Sequence, residues 1–168
     1  MKKFKVLFLV VLLAPALAFA EKKGGANHET QFYLGFSSDT AVSNNAMPTI
    51  SLALGLTDKL LLQNYLGLFS TSPFNFAVGS VIKYTVAGNN SKGFHLGGGF
   101  GLGLTGAETF FVNLLGNAGV HFEVVDSVWL SADGGFAVKI LTGALGTTTF
   151  SLGGNSSPLF GMSVLYKF

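Results

Sequence analysis

Large apolar residues alternate with small or polar residues along most of this chain, and the stretch GFHLGGGFGLGLT shows the pattern most clearly. Its large apolar residues, from Phe94 to Leu104, all fall on even positions, and His95 and most of its glycines fall on odd positions. A period of two residues is that of a β-strand, whose side chains point alternately to the two faces of a sheet. The pattern therefore predicts strands with one strongly apolar face.

The segment Gly101–Gly106 reads GLGLTG and also fits the dinucleotide-binding pattern G-x-G-x-x-G, with Glu123 about 20 residues further on. That interpretation requires a helix after the glycines. Gly116 and Gly119 interrupt the following segment and disfavour a helix there. We therefore interpret these glycines as part of the strand alternation.

The composition narrows the class of protein further. The chain is 49% apolar and only 11% charged, whereas soluble domains average about 25% charged residues. After residue 20, however, no run of 18 apolar residues occurs, so a transmembrane helix is not expected. The other structure that satisfies its backbone hydrogen bonds in lipid is a closed β-barrel.

The amino terminus is predicted to be a secretory signal peptide. Three lysines precede the apolar stretch Val6–Leu13, and Ala18 and Ala20 form a small-x-small cleavage site. We therefore expect residues 1–20 to be removed, which leaves 148 of the 168 residues. Residues 21–29 would form a periplasmic leader and residues 30–168 the barrel.

The charge balance argues against nucleic acid as a partner. Beyond residue 20 the chain carries seven lysines, eight acidic residues and no arginine, so nucleic-acid binding is not expected. The chain has no cysteine and can form no disulfide.

Segments with a period of two predict eight strands, an even number suited to an antiparallel up-and-down transmembrane barrel. The third is the least regular, because Leu60, Leu61 and Leu62 are consecutive and Asn64 falls on the apolar face. A long Gly/Thr/Ser loop is expected over 141–158. The predicted strands are 31–37, 49–57, 60–69, 74–86, 93–105, 108–122, 128–140 and 159–168.

The last segment, LFGMSVLYKF, places Tyr166 and Phe168 on its apolar face and ends on the aromatic residue. It resembles the carboxy-terminal signature of bacterial outer-membrane barrels, in which the barrel-assembly machinery recognises a terminal aromatic residue. The architecture is similar to that of small eight-stranded barrels, the OmpA transmembrane domain and OmpX. The resemblance implies a Gram-negative outer-membrane location, termini in the periplasm, surrounding lipid and a monomer.

In such a barrel the uniformly apolar face meets lipid and the mixed face lines a lumen just wide enough for side chains. We expect the inward glycines to make room for Trp129, Tyr33, Tyr65 and Phe111. Aromatic residues should also gather at the periplasmic rim. Those expected there are Phe32, Tyr84, Phe94, Phe122, Tyr166 and Phe168.

The inward face carries few ionisable residues, and a charge in the lumen is costly unless it is paired. We expect Lys83 to pair with Glu123, with the two histidines hydrogen-bonded nearby, so that the cluster plugs the lumen. The predicted polar cluster of the lumen consists of Lys83, His95, His121, Glu123, Asp133 and Lys139.

No catalytic, metal or cofactor site is predicted. His28, His95 and His121 lack metal-ligand spacing, and no serine is placed beside a histidine. The sequence therefore favours a filled outer-membrane barrel with a structural or surface-interaction role. Two alternatives stay open: a narrow or gated, porin-like pore, and a soluble exported barrel that binds lipid. The last would need a polar outer face and an apolar lumen.

Overall fold

The computed structural model describes residues 30–39, 48–69, 75–89, 91–105, 109–142, 146–152 and 159–168. The predicted signal peptide, with Ala18 and Ala20, and the leader 21–29 lie outside these residues. Within the described ranges, no helix is long and apolar enough to cross a membrane. The strands are β1 (Gln31–Asp39), β2 (Pro48–Gly55), β3 (Leu60–Phe69), β4 (Asn75–Gly88), β5 (Lys92–Thr105), β6 (Thr109–Val125), β7 (Val128–Thr142), β8 (Thr148–Leu152) and β9 (Leu159–Lys167).

The strands form a closed antiparallel barrel with eight positions in its wall, as predicted. Strands β1 to β7 pair in chain order, and β9 closes the wall by pairing with both β7 and β1. Strand β8 pairs with the second half of β7, from Phe136 to Ile140. The eighth position is therefore shared by β8 and β9.

The expected loop over 141–158 was wrong in part. Strand β7 continues to Thr142, and β8 lies inside the segment that was expected to be a loop. Strand β8 has only five residues, TTFSL, so its sequence is too short to show a clear period. Its pairing with the β7 backbone supplies the hydrogen bonds that hold it in the wall.

The pairing is staggered around the wall. Following paired residues from Phe36 through β2 to β6 leads to Ile140 on β7. In the other direction, Phe36 pairs with Val164, and Val164 pairs with Leu130. The two routes meet β7 ten residues apart. Such a stagger tilts the strands relative to the barrel axis by roughly 35–45°.

One end of the barrel, called here the turn end, carries the connections that follow Gly55, Gly88 and Val125, together with Thr30 and Phe168. Strands β4 to β7 have 14 to 17 residues and form the long-strand side. Strands β1, β2, β3 and β9 have 8 to 10 residues and form the short-strand side.

The alternation of faces follows the sequence pattern. Odd-numbered residues point into the lumen, where Gln63 and Tyr65 are buried, and even-numbered Phe36 is 67% exposed on the outside. The least regular predicted strand is confirmed as β3. Its Asn64 does lie on the outer face, where it accepts a hydrogen bond of 2.6 Å from Ser80 Oγ.

The outer face is not exposed everywhere. Leu54, Leu62 and Val78 belong to it by alternation and are nevertheless buried. They lie on β2, β3 and β4, close to Asn64, which is also buried.

Candidate functional site: the filled lumen

Four ionisable side chains of the long-strand side meet in the lumen. Lys83 Nζ lies 2.7 Å from Asp133 Oδ2, and His95 Nε2 lies 2.6 Å from Asp133 Oδ1. The Nδ1 atoms of His95 and His121 are 3.2 Å apart. Asn117 Nδ2 donates to Asp133 Oδ1 over 2.7 Å. These five residues are called the charged cluster below.

The charged cluster is closed off from solvent. Each of its side chains is buried, and Asp133 is the hub that accepts hydrogen bonds from Lys83, His95 and Asn117. Buried charges are tolerated when they are paired and hydrogen-bonded. The cluster therefore meets the condition for keeping charges inside a narrow barrel.

The expected pair between Lys83 and Glu123 was wrong, because Lys83 binds Asp133 instead. Glu123 lies at the turn end, where its carboxylate accepts hydrogen bonds from Ser91 Oγ at 2.9 Å and from the Ser127 N–H at 3.1 Å. Alternation places Glu123 on the inward face, but its position beside the 126–127 turn keeps it at the rim.

Lys139 is also separate from the charged cluster. Its Nζ lies 5.3 Å from the centre of the Phe111 ring, a cation–π distance. Both residues lie in the parts of β6 and β7 that are remote from the turn end. The structure thus brings together Lys83, His95, His121 and Asp133 of the six predicted residues and leaves Glu123 and Lys139 elsewhere.

Glycines make the space in which the charged cluster sits. A Cβ atom at Gly97 would collide with Asn117 Oδ1, and one at Gly119 would lie 2.8 Å from both Asp133 Oδ1 and His95 Nε2. A Cβ at Gly103 would lie 2.8 Å from the Phe111 ring. This glycine therefore makes room for one of the four aromatic residues that were expected to need it.

Two aromatic rings cover the cluster at the turn end. The Trp129 ring stacks on His121 with 4.5 Å between centroids, and Tyr33 lies against Trp129 at 5.4 Å. A cavity beside them, lined partly by Lys59 and Thr85, has a volume of about 10 Å³. That is room for one water molecule at most.

The short-strand side holds a second, uncharged polar group that the sequence analysis did not predict, beside buried apolar residues such as Leu61 and Leu165. Gln63 Nε2 lies within hydrogen-bond distance of Ser51 Oγ at 2.8 Å, Ser163 Oγ at 3.1 Å and Ser37 Oγ at 3.3 Å, and its two hydrogens serve two of these oxygens at a time. Ser37 Oγ also donates to Ser163 Oγ at 2.7 Å. These four buried residues are called the neutral network below. The signal available in the sequence was that all four residues have odd numbers, which places them on the inward face.

The ring nitrogens of both histidines in the charged cluster already have partners. The four ring nitrogens of His95 and His121 face each other, Asp133 Oδ1 and the Asn89 carbonyl oxygen, so neither ring is directed at a hydroxyl. In the described part of the chain, no group of three or more potential ligands is arranged to hold a metal ion. The charged cluster and the neutral network both lie buried in the lumen.

Comparisons with protein-family models, with curated proteins and with solved structures give no match for this chain. The geometry of the barrel, its outer face and its lumen is therefore the basis for assigning a function.

Proposed function

We propose that this protein is an integral β-barrel of the bacterial outer membrane, with a filled lumen, a structural or surface-interaction role and no catalysis. The observation that carries the proposal is its outer face. Large apolar side chains are exposed on β1 to β7 and on β9, among them Phe36, Ile82, Leu114 and Met162. Soluble monomers rarely expose contiguous apolar patches above a few hundred Å².

The aromatic residues at the turn end support the proposal. All six that were expected at this rim are exposed there, namely Phe32, Tyr84, Phe94, Phe122, Tyr166 and Phe168. Aromatic side chains concentrate where a barrel leaves the hydrocarbon for the headgroups. The turn end and both chain termini would then face the periplasm.

Tyr166 and Phe168 are the residues to which we assign the carboxy-terminal assembly signal. Their rings contact each other edge to face, with 5.2 Å between centroids, and both are exposed on the outer face. The barrel-assembly machinery is the partner that this assignment implies, and membrane lipid surrounds the finished barrel.

The alternative of a narrow or gated pore meets an obstacle in the lumen, which the charged cluster and the neutral network occupy. Planar-bilayer recording tests it directly. We expect no steady conductance from the wild-type protein or from the rim variant Glu123→Ala. Steady wild-type conductance, abolished or altered on changing Asp133, would favour the pore.

The alternative of a soluble barrel that carries lipid is disfavoured by the distribution of residues. A lipid carrier needs an apolar lumen and a polar exterior. Here Lys83, Asp133 and Gln63 lie inside, and many large apolar side chains, such as Phe36 and Leu114, are exposed outside.

Two lysine substitutions on one strand test the membrane assignment. Leu114 and Val124 are each 53% exposed on β6, but Leu114 lies well inside the strand and Val124 lies next to the turn. In a bilayer, lysine costs about 2–4 kcal/mol near the midplane and about 0–1 kcal/mol near the interface. Leu114→Lys should therefore destabilise the barrel in lipid vesicles much more than Val124→Lys.

A soluble protein would behave differently, because lysine at either position would simply face water. Equal stability of the two variants in lipid, together with improved solubility without detergent, would contradict the proposal. Unfolding by urea, followed by tryptophan fluorescence of Trp129, supplies the measurement.

A further inference from the structure

The hydrogen bonds of His95 and His121 determine how many protons the two rings carry. His121 Nε2 lies 2.9 Å from the carbonyl oxygen of Asn89, which can only accept, so this nitrogen carries a hydrogen. His95 Nε2 lies 2.6 Å from Asp133 Oδ1. The Asp133 carboxylate already accepts from the Lys83 ammonium and from Asn117 Nδ2, so His95 Nε2 is the donor in this contact.

The remaining two nitrogens face each other. The Nδ1 atoms of His95 and His121 are 3.2 Å apart, a hydrogen-bond distance that requires one proton between them. The two rings then hold three protons on four nitrogens. Two neutral imidazoles hold only two, so the geometry requires one proton more.

We propose that His95 and His121 form a binding site for a single proton, shared between their Nδ1 atoms. The pair carries one positive charge as a unit. With Lys83 and Asp133 it gives the charged cluster a net charge of +1. The site depends on the barrel fold and not on the location of the barrel in a membrane.

The groups around the pair fit a shared positive charge. Asp133 contributes a carboxylate from β7, and the Asn89 carbonyl oxygen, beyond the end of β4, accepts from His121. The Trp129 ring stacks on His121 at 4.5 Å, so its electron-rich face lies against the cation. Lys83, from β4, is the one opposing charge, and Asp133 lies directly against it at 2.7 Å.

The contact between the two rings depends on the number of protons that they hold. Loss of the shared proton leaves two Nδ1 lone pairs facing each other, and a further proton places two N–H groups face to face. Either change breaks the contact between β5 and β6 that the proton makes. The pair is therefore intact only while it holds one extra proton.

Nitrogen NMR of the histidine rings tests the site. The chain without residues 1–20 and with His28→Gln, labelled with ¹⁵N-histidine and refolded in detergent, contains only the two histidines of the pair. Near neutral pH we expect three protonated ring nitrogens out of four and one proton correlated with both Nδ1 atoms. Two or four protonated nitrogens in the folded barrel would overturn the proposal.

A matched pair of variants tests what holds the proton. Asp133→Asn keeps an oxygen that can accept from His95 Nε2 but removes the negative charge, so we expect two protonated nitrogens at the same pH. Glu123→Gln changes a carboxylate at the rim and should leave three. Three protonated nitrogens in Asp133→Asn would overturn the part assigned to Asp133.

The proton site and the membrane assignment can fail separately. Gel mobility of the same sample reports whether the barrel has closed. A barrel that folds with the shared proton but does not enter lipid would refute the proposed function alone. A barrel that inserts into lipid with two neutral histidines would refute the proton site alone.

Discussion

The two sides of the barrel fill the same lumen by different means. The short-strand side uses the neutral network, in which the Gln63 amide nitrogen lies within hydrogen-bond distance of three serine hydroxyls. The long-strand side uses the charged cluster, centred on Asp133, and needs glycines such as Gly97 and Gly119 to make space for it.

Neutral hydroxyl groups and charged side chains are kept in a narrow interior in different ways. Hydroxyl groups rotate, so a serine that loses one partner can turn to another. A buried charge has no such freedom, and removal of its partner leaves an uncompensated ion. The long-strand side should therefore be the more sensitive of the two to single substitutions.

The largest effect is expected from Asp133→Ala, which leaves Lys83 buried without its counter-ion. Breaking a buried ion pair costs about 3–5 kcal/mol. Urea unfolding of the refolded barrel in detergent measures the loss. The rim variant Glu123→Ala is the control: it removes two hydrogen bonds at the turn end but leaves no buried ion unpaired, so it should lose less than Asp133→Ala.

A double variant distinguishes the effect of an unpaired buried charge from the effect of lost side-chain volume. Lys83→Met combined with Asp133→Ala removes both ions, so the double variant should be more stable than Asp133→Ala alone. A double variant that is less stable than the single one would show that the ion pair is not the reason for the sensitivity of this side.

A smaller effect is expected from filling the space that the glycines leave. Gly119→Ala would place a Cβ 2.8 Å from Asp133 Oδ1 and His95 Nε2, and overpacking of this kind costs about 1–3 kcal/mol. Gly98→Ala is the control, because a Cβ there meets only Leu115 O, at 3.3 Å. Equal losses in the two variants would contradict the account of the glycines.

On the short-strand side, Gln63→Ala removes the donor that joins three serines. Loss of one partner from a buried hydrogen-bonded group costs about 1–3 kcal/mol. Because the serine hydroxyls can rotate to bond one another, we expect a smaller loss of unfolding free energy than in Asp133→Ala. A loss as large as that of Asp133→Ala would remove the difference between the two sides.

The smallest effect is expected from Ser163→Ala. Gln63 Nε2 keeps Ser51 and Ser37 as acceptors for its two hydrogens, so the bond lost outright is the one that Ser37 Oγ donates to Ser163 Oγ. Such a bond contributes about 0.5–1.5 kcal/mol. The same urea titration measures it, and a loss above that of Gln63→Ala would contradict the central position given to Gln63.

The sequence predicted which way each side chain points but not how far along the lumen it lies. Alternation assigned Lys83, Glu123 and Asp133 to the inward face, and Lys83 and Asp133 are buried there. Their heights, however, depend on the stagger of ten residues around the wall, which brings Lys83 to Asp133 and leaves Glu123 at the rim. A pattern along single strands contains no information on that stagger.

The short strand β8 is the other feature that could not be predicted from the sequence. The period of two located β3 despite its three consecutive leucines, because ten residues are enough to establish a strand. The five residues of β8 are held by pairing with β7 rather than by a pattern of their own. Their place in the wall follows from the neighbour and could not be predicted from the segment alone.

Heat-modifiable gel mobility tests the proposal that this closed barrel is an integral membrane protein. The chain without residues 1–20 is refolded in detergent, and boiled and unboiled samples are compared alongside far-ultraviolet circular dichroism. If the proposal is right, we expect a mobility shift on boiling and a β-sheet spectrum. Absence of a shift, in a protein that stays soluble without detergent, would contradict it.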